Sequence, residues 1–92
     1  MPLSMIAAVV LIDAEPAQVG RLAEQLVEVP GVAEAYSVTG AHDLVAVVRV
    51  RQHEELADVV TQGIARLPGI RDTTTLVAFR AYRAEDWAWD LT

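Results

Sequence analysis

A short polar segment between two apolar runs contains the residues best suited to chemistry in this sequence. Residues 38–43 read Val-Thr-Gly-Ala-His-Asp. Backbone amides freed by Gly40 can donate hydrogen bonds to a carboxylate, and the carboxylate of Asp43 can pair with an ammonium group. The same residues also suit an ordinary turn in which Asp43 accepts a hydrogen bond from its own backbone. The segment is therefore either a clamp for a free amino acid or a plain hairpin turn.

The two histidines do not predict a catalytic or metal site. Neither His42 nor His53 has a serine or carboxylate at the spacing of a catalytic triad, or further ligands at metal-binding spacing. We interpret His53 as a solvated residue in the first turn of a helix and His42 as a loop residue. No catalytic residue, metal or cofactor is predicted.

Length and charge restrict the class of protein. The chain has 92 residues, with 13 acidic and 7 basic side chains and a formal net charge of -6 at pH 7. These values suit one small domain and disfavour direct binding to nucleic acid or to an anionic membrane. The chain contains no cysteine, which rules out disulfides and favours a cytoplasmic protein. Its apolar start is too short to span a bilayer.

The spacing of apolar and turn residues predicts two successive β-α-β units. Each helix is expected to end at a Pro-Gly pair, the first at Pro30-Gly31 and the second at Pro68-Gly69. The apolar face of the first helix consists of Val19, Leu22, Ala23, Leu26 and Val27. The four predicted strands cover residues 5–12, 32–39, 44–50 and 70–82.

Two units in this order predict an α+β fold, a ferredoxin-like β-α-β-β-α-β sandwich of the dimeric α/β-barrel type. The sheet is expected to be antiparallel, with both helices on one face. The other face is then uncovered, and its closure against a second copy predicts a homodimer. The residues expected in this contact are Ala33, Ala35, Ala46, Val48 and small residues of the last strand.

The chain is expected to divide into one domain and a tail. The domain is predicted over residues 1–84, and the tail over residues 85–92. Exposed tryptophan is rare without a reason, so Trp87 and Trp89 are expected to pack against a partner subunit.

The order of elements, the two Pro-Gly helix ends and the segment over residues 36–44 together resemble the Lrp/AsnC family of feast/famine regulators. The resemblance covers residues 5–82 and is to the C-terminal effector domain, also called the domain of regulation of amino-acid metabolism (RAM). It implies dimers that assemble into octamers or decamers and bind amino acids near the interface between dimers. In this sequence Asp43 would bind the ammonium group. The ligand-binding residues that the resemblance implies are Tyr36, Gly40, Ala41, His42, Asp43, Thr73 and Thr75.

The helix-turn-helix domain usual in that family has no counterpart in this sequence, so the chain resembles the stand-alone members of the family. We therefore expect a non-enzymatic, oligomeric protein that binds an amino acid or another small effector. It would modulate transcription through its assembly or through partners such as full-length regulators of the family. Two alternatives are a small dimeric α/β-barrel enzyme of the monooxygenase type and a structural adaptor with an empty pocket.

Overall fold

A four-stranded antiparallel sheet forms the centre of the structure. The computed structural model describes residues 5–82 and 84. The strands are β1 (Ile6–Ala14), β2 (Val32–Ser37), β3 (Leu44–Val50) and β4 (Ile70–Val77). They lie in the order β2-β3-β1-β4, and every neighbouring pair is antiparallel. This arrangement confirms the predicted ferredoxin-like β-α-β-β-α-β sandwich.

Helix α1 spans Val19–Leu26 and follows a 3₁₀ turn over Pro16–Gln18. Pro16 suits this first turn because the amide it lacks would have no partner within the helix. Val27 was expected on the apolar face of this helix, but it is 52% exposed. The helix ends at Leu26, so Val27 lies beyond the last turn that packs on the sheet.

Helix α2 begins at His53, as expected, and is α-helical to Asp58. The amide of Gln52 donates to the Glu55 carboxylate over 2.9 Å, which fixes the first turn. The helix then widens into a π-helical turn over Val59–Gly63 and closes with a 3₁₀ turn over Ile64–Arg66. A π turn inserts a residue relative to the α-helical period. The apolar side chains of the segment still face the core, with Leu56, Val59 and Ile64 buried in it.

The hydrophobic core lies between the sheet and the helices. Alternate residues of β1 and β3 point toward the helices, since successive strand side chains face opposite sides of a sheet. The largest fully buried side chains are Val10, Ile12, Leu22, Leu26, Leu44, Val48 and Ile64.

Three of the residues predicted on the uncovered sheet face, Ala35, Ala46 and Val48, lie on the other side of the sheet. Ala46 and Val48 were expected there but are fully buried, because they pair with Val10 and Ala8 on the side of the sheet that faces the helices. Ala35 pairs with Ala46 and packs against the same core. Both sets of alternating residues are apolar in these strands, so the period of two does not show which set the helices cover.

The opposite side of the sheet presents a second set of apolar side chains. Val9 lies between Val47 of β3 and Leu76 of β4, while Leu11 lies beside Val45. We call this surface the open face, and it consists of Val9, Leu11, Val45, Val47 and Leu76. Leu76 is 51% exposed and the other four are half-buried.

The last strand is shorter than expected. β4 ends at Val77 rather than at residue 82, and Phe79 and Tyr82 are exposed. Pairing stops here because β1 begins at Ile6, and the last contact is a hydrogen bond from the Ala78 amide to the Ala7 carbonyl. The expected tail and its Trp87 and Trp89 lie outside the described residues. Within residues 5–82, no helix is long and apolar enough to cross a membrane.

Candidate functional site

The loop between β2 and β3 covers residues 38–43. A hydrogen bond of 3.0 Å from the Val38 amide to the Asp43 carbonyl closes its base. Gly40 has a φ of 110°, in the left-handed region that favours glycine. Apart from Gly40 and its two neighbours in the chain, no heavy atom of the described residues lies within 4 Å of the position that a Cβ on Gly40 would occupy. The loop therefore projects into open space.

The tip of this loop offers consecutive hydrogen-bond donors. Among the described residues, no backbone or side-chain acceptor is hydrogen-bonded to the amides of Thr39, Gly40, Ala41 or His42. Unpaired amides are donors that an anionic group such as a carboxylate can accept hydrogen bonds from. The amide of Asp43 is not available, because it donates to the Ile12 carbonyl over 2.9 Å.

The carboxylate of Asp43 links the loop to the central strand. Its Oδ2 accepts a hydrogen bond of 2.8 Å from the amide of Ala14, 29 residues away. Asp43 thus caps the backbone of β1 rather than that of its own turn. The second oxygen, Oδ1, has no hydrogen bond within the described part of the chain. A carboxylate held by one oxygen can present the other to a cation.

His42 is also tied to β1. Its Nδ1 lies 3.0 Å from Oδ1 of Asp13, and both side chains are about one third exposed. His42 lies in a loop, as interpreted from the sequence, and this contact adds a link to β1 that the sequence did not indicate. Asp13 in turn lies opposite Asp72 of β4. No local sequence signal pointed to Asp13, since the register of two strands places it beside the loop.

Thr73 and Thr75 lie on a different side of the sheet from the open face. Thr73 pairs with Ile12 and Thr75 pairs with Val10, so both half-buried threonines lie on the side that faces the helices. Ile12 connects Thr73 to the loop. It pairs with Thr73 on one side, and on the other its carbonyl accepts a hydrogen bond from the amide of Asp43.

Tyr36 lies at the margin of the open face, opposite Val45. Its hydroxyl donates a hydrogen bond to the carboxylate of Glu34, which is 3.6 Å from the guanidinium of Arg49. This hydrogen bond and the nearby negative charge of Glu34 raise the pKa of the Tyr36 phenol. The structure thus places Tyr36 in a polar cluster on β2 and β3, separate from the contacts of His42 and Asp43.

Residues 7–88 match the family model of the Lrp/AsnC ligand-binding domain. This chain belongs to the Lrp/AsnC ligand-binding domain family. The match confirms the resemblance found in the sequence.

The Lrp/AsnC relatives include longer proteins. The chain is 42% identical over 72 residues to an HTH-type transcriptional regulator of Pyrococcus abyssi, in an alignment that covers 78% of this chain and 46% of that protein. The chain spans about half the length of the curated relatives it matches.

Solved structures share the fold of this Lrp/AsnC domain. The crystal structure of TTHA0845 from Thermus thermophilus is 56% identical with a TM-score of 0.81, covering 86% of this chain and 99% of that one. The complex of the regulator NMB0573 from Neisseria meningitidis with L-Met has a TM-score of 0.76 at 14% identity, covering 88% of this chain and 54% of that one. The second likeness is one of fold alone.

Two other features bear on ligands of this Lrp/AsnC domain. Among the described residues, no group of three or more His, Asp or Glu side chains is arranged to hold a metal ion. A cavity of about 380 Å³ lies between residues 29–31 and α2, with Val50 and Val59 in its wall and Glu55 and Asp58 among the residues that line it. It lies at the opposite end of the β2-β3 hairpin from the loop.

The hydrogen bond of Asp43 predicts a difference between two substitutions. Asp43→Ala leaves the buried Ala14 without an acceptor for its amide, and the free energy of unfolding should fall by about 1–3 kcal/mol. Asp43→Asn keeps an oxygen at this position, so we expect a smaller loss, under about 1 kcal/mol. Urea denaturation of both variants measures the difference. Equal losses would show that the bond to Ala14 does not stabilise the fold.

Proposed function

We propose that this chain is a non-enzymatic domain that binds a free amino acid at the loop over residues 38–43. The observation that carries the proposal is the run of unpaired amides over residues 39–42, which directly precedes Asp43 and its unpaired Oδ1 in the same loop. An α-amino acid presents a carboxylate and an ammonium group on one carbon. Amide donors suit the first group and the Oδ1 of Asp43 suits the second.

The family relationship supports an amino acid as the effector. The Neisseria meningitidis regulator, which has the same fold, was solved in complex with L-Met. The resemblance also implies contributions from Tyr36, Thr73 and Thr75. Of these, Thr73 lies across β1 from the loop, and Tyr36 and Thr75 lie on opposite sides of the sheet.

The proposed role is in the regulation of transcription in the cytoplasm. The curated relatives are HTH-type transcriptional regulators. The net charge of -6 opposes direct contact with DNA by this chain. We therefore propose that the effector acts through the assembly of the chain or through partners such as full-length regulators of the family.

The open face supports a homodimer. Its apolar side chains come from three adjacent strands, β3, β1 and β4, and form one continuous surface. A second copy presents the same surface, so two copies related by a two-fold axis can cover both at once. Assembly of these dimers into octamers or decamers is what the family resemblance implies.

The arrangement of polar groups favours a binding domain over an enzyme of the monooxygenase type. The contact between His42 and Asp13 is about one third exposed, and neither residue lines the cavity beside α2. The open face itself carries aliphatic side chains. Purified protein that contains haem or turns over a substrate would reverse this assignment.

A thermal-shift screen with each of the twenty amino acids tests the proposal. One or a few should stabilise the chain, since a ligand that binds only the folded state at a hundredfold excess over its Kd adds about 2.7 kcal/mol. Asp43→Asn keeps an acceptor for Ala14 but removes the charge that pairs with an ammonium. We expect the affinity of this variant to fall about 10- to 100-fold.

Asp58→Asn is the matched control, because Asp58 is an exposed carboxylate at the other end of the domain. It should bind the same amino acid with the affinity of the wild-type chain. A flat response to all twenty amino acids would reject the proposal. Binding that survives Asp43→Asn unchanged would reject the role of Asp43 only.

A further inference from the structure

We propose that His42 is a positioning residue of the loop over residues 38–43, whose imidazole holds the loop against β1 through Asp13 and does not itself contact the ligand. This inference rests on the proposed function, because it concerns the affinity of the same site. The observation behind it is that Ile12, Asp13 and Ala14 bind the base of the loop at three successive residues.

The three contacts differ in kind. Asp43 donates its amide to the Ile12 carbonyl over 2.9 Å and accepts from the Ala14 amide over 2.8 Å. The imidazole Nδ1 of His42 adds the third, at 3.0 Å from Asp13 Oδ1. The carboxylate accepts, so Nδ1 is the donor in this geometry. His42 is thereby the last anchored residue before the free tip of the loop.

The tip itself has little else to hold it. Thr39, Gly40 and Ala41 are exposed, and their amides make no hydrogen bond within the described residues. Gly40 has no neighbour within 4 Å of where its Cβ would lie, and glycine has the greatest backbone freedom of any residue. Without the contact at His42, the amides of Gly40 and Ala41 would lose the anchor closest to them.

An anchored tip binds more tightly than a free one. A ligand that must order a mobile segment loses part of its binding free energy to that ordering, whereas a prearranged segment avoids the loss. The contact also places a donor on Asp13, whose carboxylate lies opposite that of Asp72. Like charges directly opposite each other in a sheet are unfavourable, and a donor on one of them moderates this repulsion.

Substitution by asparagine separates positioning from ligand contact. The side-chain amide of asparagine can place an N–H close to the position of the imidazole Nδ1, but it has no group at the position of Nε2. His42→Asn should therefore keep the bond to Asp13 and lose any contact that the outer edge of the ring makes. Asp13→Asn likewise keeps an acceptor for His42, whereas His42→Ala and Asp13→Ala remove the bond.

The first measurement is the backbone order of the loop in the absence of ligand, from ¹⁵N relaxation of the Gly40 and Ala41 amides. We expect backbone order parameters S² of about 0.85 in the wild-type chain and in both asparagine variants. In both alanine variants S² should fall below about 0.6. Equal order parameters in the wild-type chain and His42→Ala would overturn the proposal, whether or not an amino acid binds.

The second measurement is a titration of each variant with an equimolar pool of the twenty amino acids. Binding is monitored through the NMR chemical shifts of the same two amides. The midpoint should rise about tenfold in His42→Ala and Asp13→Ala, and stay within about twofold in the asparagine variants. A tenfold loss in His42→Asn with an ordered loop would assign a ligand contact to His42 and overturn the positioning role. A wild-type chain that does not respond to the pool would reject the proposed function, while the order parameters still decide whether His42 positions the loop.

Discussion

A chain with Val47→Asp should sediment as a monomer at concentrations at which the wild-type chain forms the proposed homodimer. Val47 lies in the open face, directly opposite Val9 of the neighbouring strand. In a two-fold dimer the substitution occurs twice. Val47 is already half-buried in the single chain, so each copy loses about half of the 1.5–3 kcal/mol of full valine burial and adds a carboxylate without a partner. The dissociation constant should therefore rise by about 100-fold or more. Sedimentation velocity over a range of concentrations measures this change.

The matched control is Val27→Asp, which makes the same chemical change at a valine that is 52% exposed just after α1. This variant should keep the wild-type association state. Circular dichroism of both variants checks that the monomer remains folded. If Val47→Asp dimerises as tightly as the wild-type chain, the open face is not the interface.

Gly31→Ala should lower the free energy of unfolding by about 2–5 kcal/mol. Gly31 has a φ of 98°, and a side chain in this region costs about 1–2 kcal/mol. Its Cβ would also lie 2.6 Å from Cγ2 of Val59 and 3.3 Å from Cγ1 of Val50, and such overpacking costs about 1–3 kcal/mol. Val59 is in the π turn of α2, so the strain falls where that helix meets the start of β2. Urea denaturation measures the loss.

Gly40→Ala separates the cost of a side chain at positive φ from the cost of the close contact with Val59. Gly40 has a similar φ of 110° but open space around its Cβ position, so it should lose only about 1–2 kcal/mol. The double variant Gly31→Ala/Val59→Ala removes the close contact and should lose less than the sum of its single substitutions. If Gly31→Ala is no worse than Gly40→Ala, the contact with Val59 does not limit the choice of residue at position 31.

Local signals were sufficient for much of the fold. Strand β3 occupies Leu44–Val50 as predicted, because a short β-branched run that is apolar except at Arg49 and is bounded by polar turns is typical of a strand. The two Pro-Gly pairs were predicted to end the helices, and Gly31 and Gly69 have φ values of 98° and 100°. Such positions identify themselves because few residues other than glycine adopt this conformation.

Contacts between residues that are distant in the chain could not be predicted from such local signals. The bonds from Asp43 to Ala14 and from His42 to Asp13 each join residues 29 positions apart. They depend on the register that pairs Ile12 with Leu44, and no local pattern sets this register. The residue types of the loop and the family resemblance both drew attention to Asp43, but only the structure shows that one of its oxygens is bound to the amide of Ala14.

Alternate residues of β1 face opposite sides of the sheet and are therefore subject to different evolutionary constraints. Val10 and Ile12 are fully buried against the helices and set whether the domain folds, whereas Val9 and Leu11 lie on the open face. In the proposed homodimer, sequence drift at the second pair would change which copies associate without weakening the core. After a gene duplication, a few substitutions at alternate positions of this one strand would therefore be enough to prevent mixed assembly. Each gene product would then assemble only with itself.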